Sequence, residues 1–260
     1  MNEKPKEFII EMTGVDVGTM RDQNEIVLEG VNWSVRRDEF WVIAGQQHSG
    51  KSAFLTMTAG LMPPAKGSYR FFGSETRIFN ESRLADLLRM GLVFESAQLF
   101  VDLTMAENVA LPLRYHRNLS APEALKAVEE LLVATELKAI ADVTPANLPR
   151  SWHRRAGLAR ALSLQPEILL LDNPFGGLDA RHSLWWIRFL ERLGSGHPVL
   201  GGRPLTIVAT TDDLRPWRSE GRRFALLKEG RFNELGSWRE VSSTGEPVVK
   251  ELLSAPTELA

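Results

Sequence analysis

The sequence contains no cysteine. That excludes a disulfide framework, a thiol nucleophile and a cysteine-ligated zinc, and it fits a reducing compartment. Histidine is scarce as well, five residues in 260, and His48, His116 and His153 show no metal-ligand spacing. Long apolar runs are missing: no window approaches the ~18 uninterrupted apolar residues that a spanning helix needs. The charged start "MNEKPKEFII" holds no segment apolar enough for a signal peptide. A soluble chain is therefore expected, with a partner as its only route to a membrane. Charge of one sign is not in excess either, with 31 Lys and Arg against 33 Asp and Glu for a formal net of -2. Such a balance gives no global attraction to an anionic bilayer or to nucleic acid, and we expect no nucleic-acid partner.

What is present is the composition of a globular chain, 43% hydrophobic and 25% charged, long enough for one large core or two unequal lobes. There is no internal repeat, low-complexity tract or interdomain linker. Short apolar runs at the start, "EFIIEM", "EIVLEGVNWSV" and "FWVIAG", read as strands, with "RRDE" at residues 36–39 as a hairpin turn. "SAFLTMTAGL" has helical periodicity and is stopped by "MPPAKG"; "GSYRFFG" reads as a strand and turn. From about residue 83 to 164 the pattern is mainly helical. Ser120 and Glu123 form a capping box for "APEALKAVEELLVATEL", with Leu125, Val128 and Leu132 on one core-facing stripe. Buried-strand runs then return, "EILLLD" and "PLTIVAT", separated by the helical "ARHSLWWIRFLERLG". Continuous apolar strands alternating with helices imply a parallel sheet covered on both faces. After about Val241 the patterning weakens, which reads as a loose tail or a partner contact.

The strongest motif is "GQQHSGKS", the eight residues Gly45, Gln46, Gln47, His48, Ser49, Gly50, Lys51 and Ser52. It matches G-x-x-x-x-G-K-[ST] and lies between an expected strand and an expected helix, where backbone N–H groups and the helix N-terminus can face phosphate oxygens. Lys51 would reach the terminal phosphates and Ser52 would offer its hydroxyl to magnesium. Gln46, Gln47 and His48 stand where a further glycine would ease the curvature, although histidine tolerates positive φ better than most residues.

The order of "GQQHSGKS", "GLVFESAQLFVDLTMAENVALPLR", "RRAGLARALSLQPEILLLDNPFGGLDA", "TIVATTDDL" and "LLKEGRFNELGS" resembles the nucleotide-binding subunit of an ATP-binding cassette (ABC) transporter, to about residue 240. "LFVDLTMAENVALPLR" is most similar to the bacterial lipid-trafficking branch. The resemblance implies an α/β fold, a P-loop NTPase of the ABC type with an antiparallel β portion and a helical subdomain. The ATP-binding domain would cover residues 1–245, with the helical subdomain at about 83–164 and a tail at 246–260. It further implies ATP and magnesium as cofactors, a head-to-tail pairing with a second nucleotide-binding subunit, identical or homologous, and a membrane permease as partner. The chain would then sit peripherally on the cytoplasmic face of the inner membrane. Asp172 matches the magnesium-associated aspartate, and Ser52, Glu95 and Asp172 fall on the positions expected near the metal.

Several positions depart from the family pattern. Asn173 occupies the catalytic glutamate position, and an amide has no basic oxygen to take a proton from water. Glu95 replaces a glutamine. Asp212 stands at the switch-histidine position, where a carboxylate accepts hydrogen bonds and repels phosphate; a shift of one residue would place Thr211 there instead. The signature sequence reads Pro149, Arg150, Ser151, Trp152 in place of a serine and two glycines, so one N–H is lost and a bulky ring added. Arg150 reads either as a compensating positive charge or as part of a solvated helix face beside Arg154 and Arg155. No aromatic residue stands in "VDVGTMRDQNEIVLEG", where the family stacks one on adenine. Trp185 and Trp186 read as packing residues. Together these point to a subunit that binds magnesium-ATP with impaired or no hydrolysis, which leaves the catalytic residues unassigned. Two other readings stand beside it: a slow but active transport ATPase, and an interaction subunit that no longer uses nucleotide.

Overall fold

The computed structural model describes residues 7–75 and 84–254. In chain order it contains β1 (Phe8–Gly18), β2 (Ile26–Arg36), β3 (Phe40–Ala44), α1 (Lys51–Thr58), β4 (Lys66–Phe71), β5 (Ser74–Glu75), α2 (Leu84–Leu87) and β6 (Met90–Val93). There follow α3 (Met105–His116), α4 (Ala121–Ala127), α5 (Glu129–Ala134), α6 (Arg150–Leu162), β7 (Ile168–Leu171), α7 (Ala180–Ser195), β8 (Thr206–Thr211), β9 (Arg222–Lys228), β10 (Arg231–Ser237), α8 (Trp238–Ser243) and α9 (Pro247–Leu253). The chain divides into two compact units, Met1–Leu87 with Thr206–Ala260, and Leu88–Leu205.

In the first unit β2, β1, β4 and β5 form an antiparallel sheet. Beside β3 run β8 and β9, both parallel to it, and β10 returns antiparallel to β9. The residue patterns explain the difference. β2 alternates buried and exposed side chains, as a strand with one wet face must, whereas β8 is buried at every position. Trp33, Trp41, Phe54 and Phe232 meet in a cluster with ring centroids 5.3–5.7 Å apart, joining β2, β3, α1 and β10.

Residues 36–39 do turn, Glu39 N–H donating to Arg36 O at 3.3 Å with Asp38 at φ 63°. They do not close a hairpin, because β2 pairs with β1 and β3 with β8 and β9. The turn passes the chain from one sheet to another. The end of the chain also differs from the loose tail expected there: α9 buries Val249 and Leu252, and Leu214 N–H donates to Leu252 O at 2.9 Å. Residues 255–260 lie outside the described ones.

In the second unit β6 and β7 pair in parallel, Met90 opposite Ile168 and Val93 opposite Leu171. The helical stretch expected from about residue 83 thus contains a strand, and residue 83 itself lies outside the described residues. α3 opens on a capping box, Thr104 with Glu107, and Ser120 with Glu123 forms the expected one on α4. The single helix expected after it breaks at Val128 into α4 and α5. Val128 and Leu132 are buried, but Leu125 is exposed: the buried stripe runs through Ala124, Val128, Leu131 and Leu132, one position out of phase with it. Asn108 is fully buried, its amide bonded to Phe100 N–H and O and to the carbonyls of Leu103 and Thr104. This side chain holds the loop before α3 in place. Trp186, Phe189, Leu190 and Leu193 form the buried face of α7.

Candidate functional site

The first unit holds the phosphate-type loop. β3 ends at Ala44, and Gly45 N–H donates to Thr211 O at 3.1 Å. A Cβ on Gly45 would collide with Ser49 Oγ and stand 3.0 Å from Leu227 O, so any side chain here would have to displace Ser49 from the loop interior. The loop closes through two left-handed residues, His48 at φ 62° and Gly50 at φ 91°. His48 does what a non-glycine does least readily, and it takes the place of the missing glycine. Lys51 opens α1 and its ammonium turns back over the loop, donating to Gly45 O at 2.7 Å and Gln46 O at 2.6 Å. Gln46 Nε2 donates to Glu251 Oε2 of α9 at 2.8 Å, which ties the loop to the segment expected to be a tail. Gln47, His48 and Ser52 are exposed.

Two observations fit this loop to a polyphosphate. Gly50 gives α1 no side-chain cap, so the first-turn N–H groups have only their backbone setting. Ser49 Oγ is buried with no hydrogen-bond partner among the described residues. For magnesium the donors are hydroxyl and carboxylate oxygens, and among the described residues no group of three or more Asp, Glu, His or Cys could hold an ion. A magnesium ion here therefore fits only together with phosphate oxygens and water, its usual preference.

After β8, Thr211 Oγ1 donates to Asp213 O at 2.8 Å and accepts from Asp213 N–H at 3.1 Å. That hydroxyl is committed to its own turn, and Asp212 lies between the two residues that close it. Asp213 holds Arg215 through both carboxylate oxygens at 2.7 and 2.8 Å, which raises the guanidinium pKa.

The second unit brings two of the expected residues together. Because Val93 lies opposite Leu171 in parallel register, the residues two positions beyond each, Glu95 and Asn173, emerge side by side. Asn173 Nδ2 donates to Glu95 Oε1 at 3.2 Å. Asp172 N–H donates to Val93 O at 2.8 Å, continuing the strand pairing by one residue. Asn173 itself has φ 42°, in the left-handed region that asparagine tolerates. Gly176 closes the pair: a Cβ there would stand 2.5 Å from Asn173 Nδ2 and 2.8 Å from Glu95 Oε1.

Arg154 holds this arrangement and was not legible as a site residue. Its Nε donates to Glu95 O at 2.9 Å, its Nη1 to Pro174 O at 3.4 Å and to Gly176 O, and its Nη2 lies 3.5 Å from Glu95 Oε1. Burial lowers the guanidinium pKa and Glu95 opposes that shift. The signal lay in the neighbours: Ala156, Gly157, Leu158 and Ala159 are all buried, which marks this part of α6 as interior.

Pro149 precedes α6 at the N-cap position and provides no side-chain cap. Arg150 is exposed and Ser151 half-buried. Trp152 packs edge-on to His182 at 5.7 Å and lies under the Arg155 guanidinium at 4.8 Å. Asp179 caps α7, accepting from His182 N–H at 2.8 Å, and that bond lowers its pKa. Trp186 is fully buried, as a packing residue should be.

The family model described as "ABC transporter" matches residues 28–176, more than half of the chain. The chain belongs to the ABC transporter family. Among curated ABC proteins it is 29% identical over 231 residues to the intermembrane phospholipid transport system ATP-binding protein MlaF of Escherichia coli (strain K12), covering 88% of this chain and 84% of that protein. It is 34% identical over 250 residues to the sulfate/thiosulfate import ATP-binding protein CysA of Xanthomonas campestris pv. campestris, covering 93% and 69%. Among solved structures, the ATP-binding cassette MJ0796, a dimer in a post-hydrolysis state bound to ADP and Pi, superposes with a TM-score of 0.74 at 30% identity over 87% of this chain and 98% of that one. The fold is thus the α/β nucleotide-binding cassette of ABC proteins. Among the described residues no helix is long and apolar enough to cross a membrane.

Proposed function

We propose that the chain is an ATP-binding subunit of an ABC transporter that binds magnesium-ATP, couples to a membrane permease and hydrolyses nucleotide poorly or not at all. The observation that carries this reading is the Asn173–Glu95 hydrogen bond. At the position where the family has a base, the chain has an amide whose N–H is committed to a carboxylate. An amide oxygen in that place can orient water but takes no proton from it, and loss of a general base costs about 10²–10⁴ in rate.

Magnesium-ATP, when bound, supplies a terminal phosphoryl group open to attack by water. Lys51 would compensate phosphate charge, the loop amides and Ser49 would bind phosphate oxygens, and Ser52 and Asp172 are the proposed holders of the hydrated ion. Asp212 adds negative charge where the family donates a hydrogen bond, which disfavours the hydrolytic state further. Binding alone still contributes closure energy to a dimer, whether with a second copy or with a homologous cassette. The MlaF likeness and "LFVDLTMAENVALPLR" support a lipid-trafficking system as the assembly served, with the chain on the cytoplasmic face of the inner membrane.

Titration with ATP and magnesium tests the reading directly. Wild type is expected to bind, Lys51→Ala to bind at least about tenfold more weakly, and phosphate release by the wild type to stay at least about a hundredfold below that of an intact cassette. Absence of binding at millimolar ATP would leave an interaction subunit. Vigorous hydrolysis by the wild type would leave an active transport ATPase.

A further inference from the structure

The second unit carries a groove of about 860 Å³ between the end of α5 and the length of α7. Its floor is Arg155 of α6, whose side chain is only 2% exposed. That guanidinium lies 3.9 Å over the Trp185 ring and is paired with Glu136, yet its Nε is buried with no hydrogen-bond partner among the described residues. Along one wall stand Arg181, Arg188 and Arg192, all exposed. With Leu184 they follow successive spacings of three, four and four, so they share one face of α7.

Four guanidinium groups line the groove against two carboxylates, Glu136 and Glu191. Arg155 is already desolvated, and Arg181 opposes its charge further. A concave surface with this balance concentrates anions. Leu184 and Val133 line it as well and are 46% and 58% exposed, so the basic stripe has an apolar seam. The stripe from Arg181 to Ser195 spans about 21 Å at the helical rise, far longer than one small anion.

We propose that this groove docks an acidic, leucine-bearing segment of a partner protein, its carboxylates on Arg181, Arg188 and Arg192 and its aliphatic side chain on Leu184. Charge complementarity and the length of the stripe select such a segment. Arg181, Leu184, Arg188 and Arg192 take no part in the proposed nucleotide binding, although the floor residue Arg155 packs on Trp152 of the signature-like stretch.

The probe is a fluorescent helical peptide of about 14 residues, the length of the stripe, with glutamates three and four apart and leucines between, titrated onto the full chain. Wild type is expected to bind it, with affinity falling as salt rises. Binding should fall at least tenfold in Arg181→Glu/Arg188→Glu and severalfold in Leu184→Asp, with melting temperature and ATP titration unchanged, since the replaced side chains are exposed. Equal binding of a lysine-for-glutamate peptide, or equal binding by the variants, would overturn the proposal. So would capture of the chain by phosphatidylcholine vesicles doped with phosphatidylglycerol through the same arginines without peptide binding, which would make the face a lipid surface. Each failure leaves ATP binding, read in parallel, as it was.

Discussion

Replacing Asn173 with glutamate would set two carboxylates where an amide now donates to one. The observed contact is 3.2 Å. Two unit charges at that distance repel by about 1.3 kcal/mol in water and about 5 kcal/mol at an effective dielectric of 20. Glu95 is 52% exposed whereas Asn173 is 9% exposed, and Arg154 stands 3.5 Å from the same oxygen, so the lower part of that range applies, about 1–2 kcal/mol. Loss of the donated hydrogen bond adds about 1 kcal/mol. Asn173→Glu alone should therefore cost about 2–3 kcal/mol and restore hydrolysis only partly. Adding Glu95→Gln returns an amide and a carboxylate to the pair with their places exchanged. The double variant should be more stable than the two single losses predict by at least about 1 kcal/mol. It should also release phosphate about a hundredfold faster than wild type. Urea denaturation of the four proteins reads the coupling and phosphate release reads the chemistry. Single effects that add to within about 0.5 kcal/mol would refute the reasoning, because the two side chains would then be energetically independent.

Other outcomes follow from the same geometry. Gly176→Ala should destabilise by about 1–3 kcal/mol in urea, since its Cβ has to push apart Asn173 and Glu95; no loss would mean that the pair is not closed off. Arg154→Met should cost about 2–4 kcal/mol, because the carbonyls of Glu95, Pro174 and Gly176 lose their donor, and a cost near zero would remove Arg154 from its bracing role. His197 is buried and Val199 N–H donates to its Nδ1 at 3.2 Å, so the ring is held neutral and its pKa lies below the ordinary 6.5, chiefly through burial. The unfolded chain then binds more protons than the folded one as pH falls through 6.5 towards that lower value, and stability is lost on the way down. Between about pH 7.5 and pH 5.5 the wild type should lose more stability than His197→Asn, and equal losses would refute this assignment.

The sequence made the strands legible where burial is continuous. The cores of "FWVIAG", "EILLLD" and "TIVAT" are runs of apolar residues without polar alternation because both faces of β3, β7 and β8 are covered. Residues 45–52 were legible because a phosphate loop is local. Its backbone constraints fall within eight residues, and even the strain at His48 was foreseeable. The partnership of Glu95 and Asn173 was not legible, since 78 positions separate them and only the register of β6 with β7 aligns them. Residues 36–39 were misread because a tight turn looks the same whether the strands it joins pair with each other or with different neighbours. Leu125 was placed on a core stripe because a leucine three residues before a buried Val128 fits helical spacing, but the small Ala124 holds that inward position instead. Arg154 and Arg155 looked like surface charge, because a side chain's direction depends on what covers it and composition is silent on that.

Arg154 reaches two separate stretches of chain from one planar group: the segment at Glu95 and the loop that carries Pro174 and Gly176. Its own backbone lies in the first turns of α6, one turn beyond Pro149 to Trp152. A guanidinium has no slack in its fork, so these pieces form one lever. The start of α6 is thereby joined through Arg154 to the backbone at Glu95 and to the loop that follows Asn173. The ends of β6 and β7 thus keep a direct link to the residues that open α6, whatever the rate at which the chain turns over nucleotide.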